Sequence, residues 1–321
     1  MKKNRIIVVC CLVFMMGDLS AQIVKRTYAS VSLHAGETSL GYNVKGLDGI
    51  AGTTSAKIGF GVSAKYNRYF DPHWGFGAGI GLSIYNSEAL LHGGMDDTNT
   101  YMLGEYKDDD NSGLPRSFML RARVENMKEK QQIYFFEIPV SLLYQSIFAR
   151  GKWGVYGSIG LKLQTPIVNK LESVSNPDSR LNVSGLYTDN SQGFDVGAPG
   201  MPALPEHGFG AVDNPGKTLK WKNNNTALKF GVAGTLEAGI ISRLDFGSDL
   251  LIGAYLDYGF SDIKKRNISL LSGPSPTVGY QPEANDNVGK GIIYNGLLNS
   301  NHTDIIKPLS FGLKVGVRFK I

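Results

Sequence analysis

The sequence predicts an all-β protein: an eight-stranded antiparallel up-and-down transmembrane β-barrel with four long extracellular loops. Three features lead to this prediction. They are a secretory leader, a repeated period-2 alternation of apolar and polar residues, and a strict alternation of short and long connections between the alternating segments. After the leader, the sequence contains no run of about 18 apolar residues, so it does not predict membrane-spanning helices.

The leader is predicted to be a signal peptide that is cleaved near Ala21. Lys2, Lys3 and Arg5 form its basic region, and an apolar core at 6–16 follows. This core is shorter than the roughly 20 residues of a spanning helix. A lipoprotein signal is disfavoured, because both cysteines of the chain, at 10 and 11, lie inside the core. The expected organisation is a signal peptide at 1–21 and an outer-membrane β-barrel domain at 22–321.

Composition excludes several functional classes. Hydrophobic residues make up 42% of the chain, which is too many for a disordered protein. Because the two cysteines belong to the leader, thiolate zinc sites, iron–sulfur clusters and structural disulfides are excluded from the rest. Removal of 1–21 lowers the formal charge from +5 to +3, which does not favour binding of nucleic acid. We expect no cofactor.

Eight segments alternate between apolar and polar residues in the manner of strands with two different faces. The last of them is the clearest, because from Leu309 onward every odd position is apolar and the even positions carry serine, glycine, lysine or arginine. The predicted strands are about 27–35, 56–66, 74–84, 131–145, 153–164, 228–240, 250–260 and 309–321.

Connection lengths favour a membrane barrel over a soluble sandwich that would bury the apolar faces. Tight turns near Asp71-Pro72, Ala149-Arg150-Gly151 and Asp245-Phe246-Gly247 alternate with long connections at about 36–54, 87–130, 166–225 and 261–307. Bacterial outer-membrane barrels have short periplasmic turns and long surface loops. A ten-stranded barrel is the rival, with another strand near 181–187 or 291–294.

If the apolar faces point outward, the polar faces place nine charged residues in the lumen: Lys57, Lys65, Glu137, Lys162, Lys229, Glu237, Asp257, Lys314 and Arg318. Pairing residue 145 with residue 152 across the tight turn sets Glu137 opposite Gly160 and diagonal to Lys162. Such charges are expected to pair and to fill the barrel as a polar plug, because an unpaired buried charge is expensive. A narrow, anion-preferring pore is the alternative interpretation.

The second long connection has two oppositely charged arms. Residues 88–110 contain seven acids and one base, whereas 116–130 contain five bases and two acids, so the arms are predicted to pair as a hairpin.

Catalysis receives little support from the sequence. A lipid-modifying barrel enzyme would need a histidine, a serine and a carboxylate together, and His34 with Ser32 on the same face has no acid assigned to it. We therefore assign no catalytic, cofactor-binding or metal-binding residues.

Three segments resemble the outer-membrane β-barrel domain family of Bacteroidota, which includes PorT-like proteins. They are 133–144 (IYFFEIPVSLLY), the glycine-rich 153–163 and the closing 311–321 (FGLKVGVRFKI), in addition to a leader that ends Ser-Ala-Gln. The resemblance implies an eight-stranded barrel, and PorT-like members are linked to protein secretion. No catalytic residues follow from it.

Together these observations predict an integral outer-membrane barrel of a Gram-negative-type bacterium that presents long surface loops and is not an enzyme. The role is expected to be adhesion, partner docking, or an accessory role in the envelope or in secretion. The alternatives are a small pore or transport accessory and, less favoured, a lipid-modifying enzyme. Expected partners are outer-membrane lipid, the barrel-insertion machinery, and a protein or glycan at the surface loops.

Overall fold

A computed structural model describes residues 26–42, 51–92, 97–103, 116–125, 127–148, 151–174, 180–187, 206–212, 220–223, 228–244, 247–265, 278–280, 292–294, 296–299 and 303–321. They form strands β1 (Arg26–Gly41), β2 (Ala51–Tyr69), β3 (Trp74–His92), β4 (Asp97–Leu103), β5 (Arg116–Glu125), β6 (Met127–Ile147), β7 (Trp153–Val174), β8 (Arg180–Tyr187), β9 (Glu206–Val212), β10 (Lys220–Asn223), β11 (Gly231–Arg243), β12 (Ser248–Gly259), β13 (Val278–Tyr280), β14 (Ile292–Tyr294) and β15 (Lys307–Lys320). The signal peptide predicted at 1–21 lies outside the described residues and stays a prediction. Within them, no helix is long and apolar enough to cross a membrane.

Eight of these strands close into one antiparallel barrel in the order β1, β2, β3, β6, β7, β11, β12 and β15. The barrel closes where the first and last strands pair, from Tyr28 opposite Lys320 to Gly41 opposite Lys307. Closure leaves no unpaired edge among these strands, which is what a lipid environment requires. The predicted fold class is therefore confirmed.

The three short turns lie at one end of the barrel, which we call the short-turn end; the opposite end is the long-loop end. In the first turn, one carboxylate oxygen of Asp71 accepts hydrogen bonds from the backbone N–H groups of His73 and Trp74, at 2.6 and 2.7 Å. The other two turns contain Gly151 and Gly247, with φ angles of 69° and 74°. Glycine adopts this left-handed conformation without a steric penalty, which explains its position in both turns.

The barrel strands extend further toward the long-loop end than the sequence predicts. For example, β3 continues past residue 84 to His92, and β7 continues past 164 to Val174. In these extensions backbone pairing persists where the apolar alternation has ended, because hydrogen bonding between strands does not require lipid-facing side chains.

The ten-stranded alternative is wrong, although both of its candidate segments are strands. Residues 180–187 form β8, which joins β4, β5 and β9 in a separate four-stranded sheet, and 292–294 form β14, which pairs with β13. The predicted hairpin in the second long connection is also present, because β4 and β5 pair antiparallel. We call the four-stranded sheet the loop sheet. Both long connections that flank β6 and β7 contribute to it.

The outside of the barrel carries an apolar band. Along β6 the outward side chains from Tyr134 to Tyr144 are all apolar or aromatic. Ten residue steps of about 3.3 Å, on strands tilted by about 40°, give a height of about 25 Å, which matches the apolar band of membrane barrels. Exposed aromatic side chains flank the band, including Trp74 and Trp153 at the short-turn end and Tyr258 and Phe260 at the long-loop end.

Candidate functional site

The described residues form three layers of ion pairs in the barrel interior, and the layer nearest the short-turn end is built around Arg318. Its Nε donates to Asp249 Oδ2 at 2.7 Å, and Nη1 donates to the Tyr69 hydroxyl at 3.2 Å. The guanidinium also lies 4.4 Å from the centroid of the Tyr28 ring. A planar cation can satisfy a carboxylate and stack on an aromatic face at the same time, so this layer is both neutral and closely packed.

The second layer joins three strands that are distant in the sequence. Glu237 on β11 accepts hydrogen bonds from Lys65 on β2, at 2.7 Å, and from Lys314 on β15, at 2.6 Å. All three side chains are nearly buried. Two cations share one carboxylate, so this layer has a formal charge of +1.

The third layer has the opposite balance, with one cation between two carboxylates. Lys162 Nζ lies 2.5 Å from Asp257 Oδ2 and 3.1 Å from Glu137 Oε2. Glu137 Oε1 also accepts hydrogen bonds from Ser83 and Gln164, at 2.6 and 2.9 Å. This layer has a formal charge of −1, which offsets the formal charge of +1 of the second layer. The alternating charges make the interior a connected electrostatic network across the barrel.

Above the third layer the interior contains an apolar cluster. Tyr85 and Phe135 pack edge to face with ring centroids 5.1 Å apart, and Ile133 and Leu171 are buried around them. These side chains come from the adjacent strands β3, β6 and β7 and form a packed apolar core in this part of the interior.

A segment of the last long connection closes the long-loop end. Leu297 and Leu298 are fully buried, and the Leu297 backbone N–H donates to Glu129 Oε2 at 2.8 Å. Beside it, Gln131 donates to the Tyr42 hydroxyl at 2.7 Å, and burial raises the pKa of Tyr42 well above its ordinary value. We call residues 296–299 the seal segment.

The described residues line two small cavities inside the barrel. The larger described cavity, about 40 Å³, is lined by Ser158, Tyr156 and the second layer. That volume accommodates a few water molecules. Within the described residues, several buried oxygen atoms, including Asp257 Oδ1 and the Gln164 side-chain oxygen, have no hydrogen-bond partner. Ordered water is the natural partner for such atoms.

The structure brings seven of the nine predicted lumen residues into these layers: Lys65, Glu137, Lys162, Glu237, Asp257, Lys314 and Arg318. The predicted contact of Glu137 with Lys162 is present, but the predicted register is wrong by four residues. Glu137 lies opposite Gln164, not Gly160. A shift by an even number of residues keeps every side chain on its face, so the pair survives the error.

Two predicted lumen residues lie elsewhere. Lys57 falls at a bulge between Ala56 and Phe60, and its side chain is 47% exposed and 3.4 Å from Glu88. The bulge adds a residue and turns the following side chains to the other face. Lys229 lies before Gly231, the first residue of β11, and its side chain is exposed. Because it is outside the strand, the alternation that points odd positions of β11 inward does not apply to it.

Sequence reasoning missed Asp249, the partner of Arg318. The predicted strand began at 250; extension by one residue would have placed Asp249 in the same inward series as Asp257. Sequence reasoning also missed Gln164, which donates to Glu137, and Tyr85, which accepts from Gln164. The alternation predicts which face of a strand such an uncharged side chain lies on, but not which residue it contacts.

The histidine of the enzyme interpretation lines an interior cavity of the barrel together with Glu137 and Asp257. Ser32 is buried and faces the interior, and the His34 ring packs against Tyr255 with centroids 5.0 Å apart. An acyl chain in the surrounding lipid would not reach either side chain. In the part of the chain that the structure describes, no group of three histidine, cysteine or acidic residues could hold a metal ion.

No protein-family model matches the chain, and no curated protein matches it. The resemblance to PorT-like proteins therefore stays a prediction. Two solved structures of Ail, the attachment invasion locus protein of Yersinia pestis, are similar to it, with 12% and 11% identity over 91% of this chain and TM-scores of 0.28 and 0.29. They are matched over 99% and 98% of their own lengths, and the first is in complex with the heparin analogue sucrose octasulfate. Values this low carry no argument about the function of this chain.

Proposed function

We propose that this protein is an integral outer-membrane barrel with a plugged interior, which presents its loop sheet at the cell surface for partner docking and does not catalyse a reaction. The observation that carries the proposal is the contrast between the two faces of the barrel. The outer face is an apolar band about 25 Å high, whereas the interior is filled by paired charges and an apolar core.

Burial energetics support a structural role for the interior. In the three layers, each charged side chain has a partner of opposite sign within 3.1 Å, as expected where water is excluded. The seal segment and the packed core lie above the charged layers. A small pore, the alternative function, would need a continuous aqueous path through this region.

The loop sheet supports the docking role. Strands β4, β5, β8 and β9 pair with one another in a sheet separate from the barrel sheet. Loops on the surface of a rigid scaffold commonly carry the binding function of a protein. A protein or glycan is the expected class of partner. A secretion accessory role would act through the same surface.

Conductance in planar bilayers tests the plugged interior. The refolded protein is expected to give silent bilayers. A regular unit conductance would refute the plug and favour the pore. Heat-dependent gel mobility of the same sample checks that the barrel is folded in either case.

Single-cysteine labelling tests the orientation, because the sequence after residue 21 contains no cysteine. Thr98→Cys on β4 is expected to react with a membrane-impermeant maleimide on intact cells. Lys152→Cys, in a short turn, is expected to react only after the outer membrane is permeabilised. The reverse pattern would refute surface presentation.

A further inference from the structure

Four lysines lie on the outer face of the barrel at the long-loop end. They are Lys57 on β2, Lys128 and Lys130 on β6, and Lys170 on β7, and we call them the basic patch. Each is exposed or half-buried. The register brings them together across adjacent strands, because Glu88 of β3 lies opposite Lys130, and Lys130 lies opposite Glu172 of β7.

Two bulges put lysines on this face. The first lies between Ala56 and Phe60 and exposes Lys57. The second lies on β7, where Phe135 is opposite Pro166 but Tyr134 is opposite Val168, so residue 167 is extra. Below this bulge the even positions of β7 face the interior, and above it Lys170 is exposed while Leu171 is buried. Without the bulges, both lysines would have pointed inward.

The basic patch lies at the depth of lipid headgroups. Lys130 is four residues beyond Tyr134, the last outward aromatic of β6, which corresponds to about 10 Å above the apolar band on a tilted strand. Lys170 Nζ lies 5.5 Å from the centroid of the Tyr134 ring. Lysine side chains at such positions extend toward the interface and leave their amines among the headgroups.

Among the side chains that the structure describes around the patch, the lysines outnumber the carboxylates. Glu88 lies 3.4 Å from Lys57 and 4.0 Å from Lys128 and is thus shared between two lysines. With Glu172 included, the group has four cations and two anions, a formal charge of +2. An exposed cluster with net positive charge at headgroup depth favours anionic lipid.

We propose that the basic patch binds the phosphate groups of anionic glycolipid in the outer leaflet. The inference rests on the proposed outer-membrane location and names a specific partner for it. Ammonium groups of lysine form charge-assisted hydrogen bonds with phosphate oxygens. Four of them on neighbouring strands contact the headgroup while its acyl chains lie along the apolar band.

The test compares diphosphorylated lipid A binding by three proteins in zwitterionic micelles: the wild type, Lys128→Gln/Lys130→Gln, and the control Lys229→Gln/Lys265→Gln. The control removes the same charge from exposed lysines near β11 and β12. Each patch lysine is expected to contribute about fivefold in affinity, so the variant that lacks two of them should bind the lipid about 25-fold more weakly. The affinity of the control variant for lipid A should stay within about twofold of the wild-type affinity.

Equal weakening in both variants, or none in the patch variant, would overturn the proposal. Displacement of the lipid by an equal concentration of inorganic phosphate would also overturn it, because the patch would then be a site for free anions. Heat-dependent gel mobility is measured on the same samples. A normal mobility shift with unchanged lipid affinity refutes the patch alone, whereas a wild type without the shift refutes the membrane barrel.

Discussion

Replacement of Lys162 by methionine removes the cation between the two buried carboxylates of the third layer, Glu137 and Asp257, at 3.1 and 2.5 Å. Methionine retains an aliphatic chain of similar length, so the variant changes charge more than packing. Removal of one partner from a buried ion pair costs about 3–5 kcal/mol, because the remaining charge stays desolvated. Here two carboxylates lose their cation, so we expect a loss near the upper end, about 5 kcal/mol.

The assay is urea unfolding of the refolded barrel in micelles, followed by tryptophan fluorescence. With a denaturant dependence of about 2 kcal/mol per molar, the midpoint should fall by about 2.5 M urea. The matched control is Lys57→Met, which removes an exposed lysine 3.4 Å from Glu88. Surface pairs contribute about 0–1 kcal/mol, so its midpoint should fall by less than about 0.5 M.

A third variant separates charge from packing. Combining Lys162→Met with Glu137→Gln and Asp257→Asn removes all three charges and retains the shapes of the side chains. Neutral replacement of a whole buried cluster is often tolerated, so we expect most of the lost stability to return. If Lys162→Met loses no more than Lys57→Met, or if the triple variant is as unstable as the single one, the electrostatic account of the interior is wrong.

Three further predictions concern the turn, barrel closure and the seal. The backbone N–H groups of the first turn hold the pKa of Asp71 below its ordinary 3.8, so the carboxylate stabilises the folded protein above that pH, and this contribution is lost as the pH falls through the lower folded pKa. Asp71→Ala should therefore unfold faster than the wild type at pH 6 but not at strongly acidic pH. Asp71→Asn keeps the acceptor and should resemble the wild type at pH 6. Gly36→Ala should melt at a lower temperature than wild type, because its Cβ would overlap backbone atoms of β15, whereas at Gly157 the nearest atom is 3.6 Å away and the same change should be tolerated. Glu129→Ala leaves the Leu297 N–H buried without its acceptor, at a cost of about 1–3 kcal/mol, so amide hydrogen exchange at Leu297 should accelerate about 5- to 150-fold. Glu129→Gln should cause a smaller acceleration. Unchanged exchange in Glu129→Ala would contradict the role of the seal segment.

Much of the fold was predictable because the governing pattern is local. Alternation of apolar and polar residues with a period of two is visible in any short window, as at 309–321, and the short turns carry glycine or Asp-Pro at recognisable places. The alternation gave the number of strands, and the connection lengths then favoured a membrane barrel over a sandwich. The interior face of Lys162 and Glu137 followed from the same alternation, and their contact survived a wrong register because the error was an even number of residues.

The sequence by itself determined the strands, their two faces and an interior rich in charge, because each of these follows from side-chain order along one strand. Apart from the contact of Glu137 with Lys162, only the tertiary structure decided which charges meet. Glu237 joins Lys65 and Lys314 from strands far apart in the chain, and the bulges near Phe60 and Tyr134 turned lysines outward. Register and bulges depend on how neighbouring strands fit around a closed barrel, so no local window of the sequence contains them.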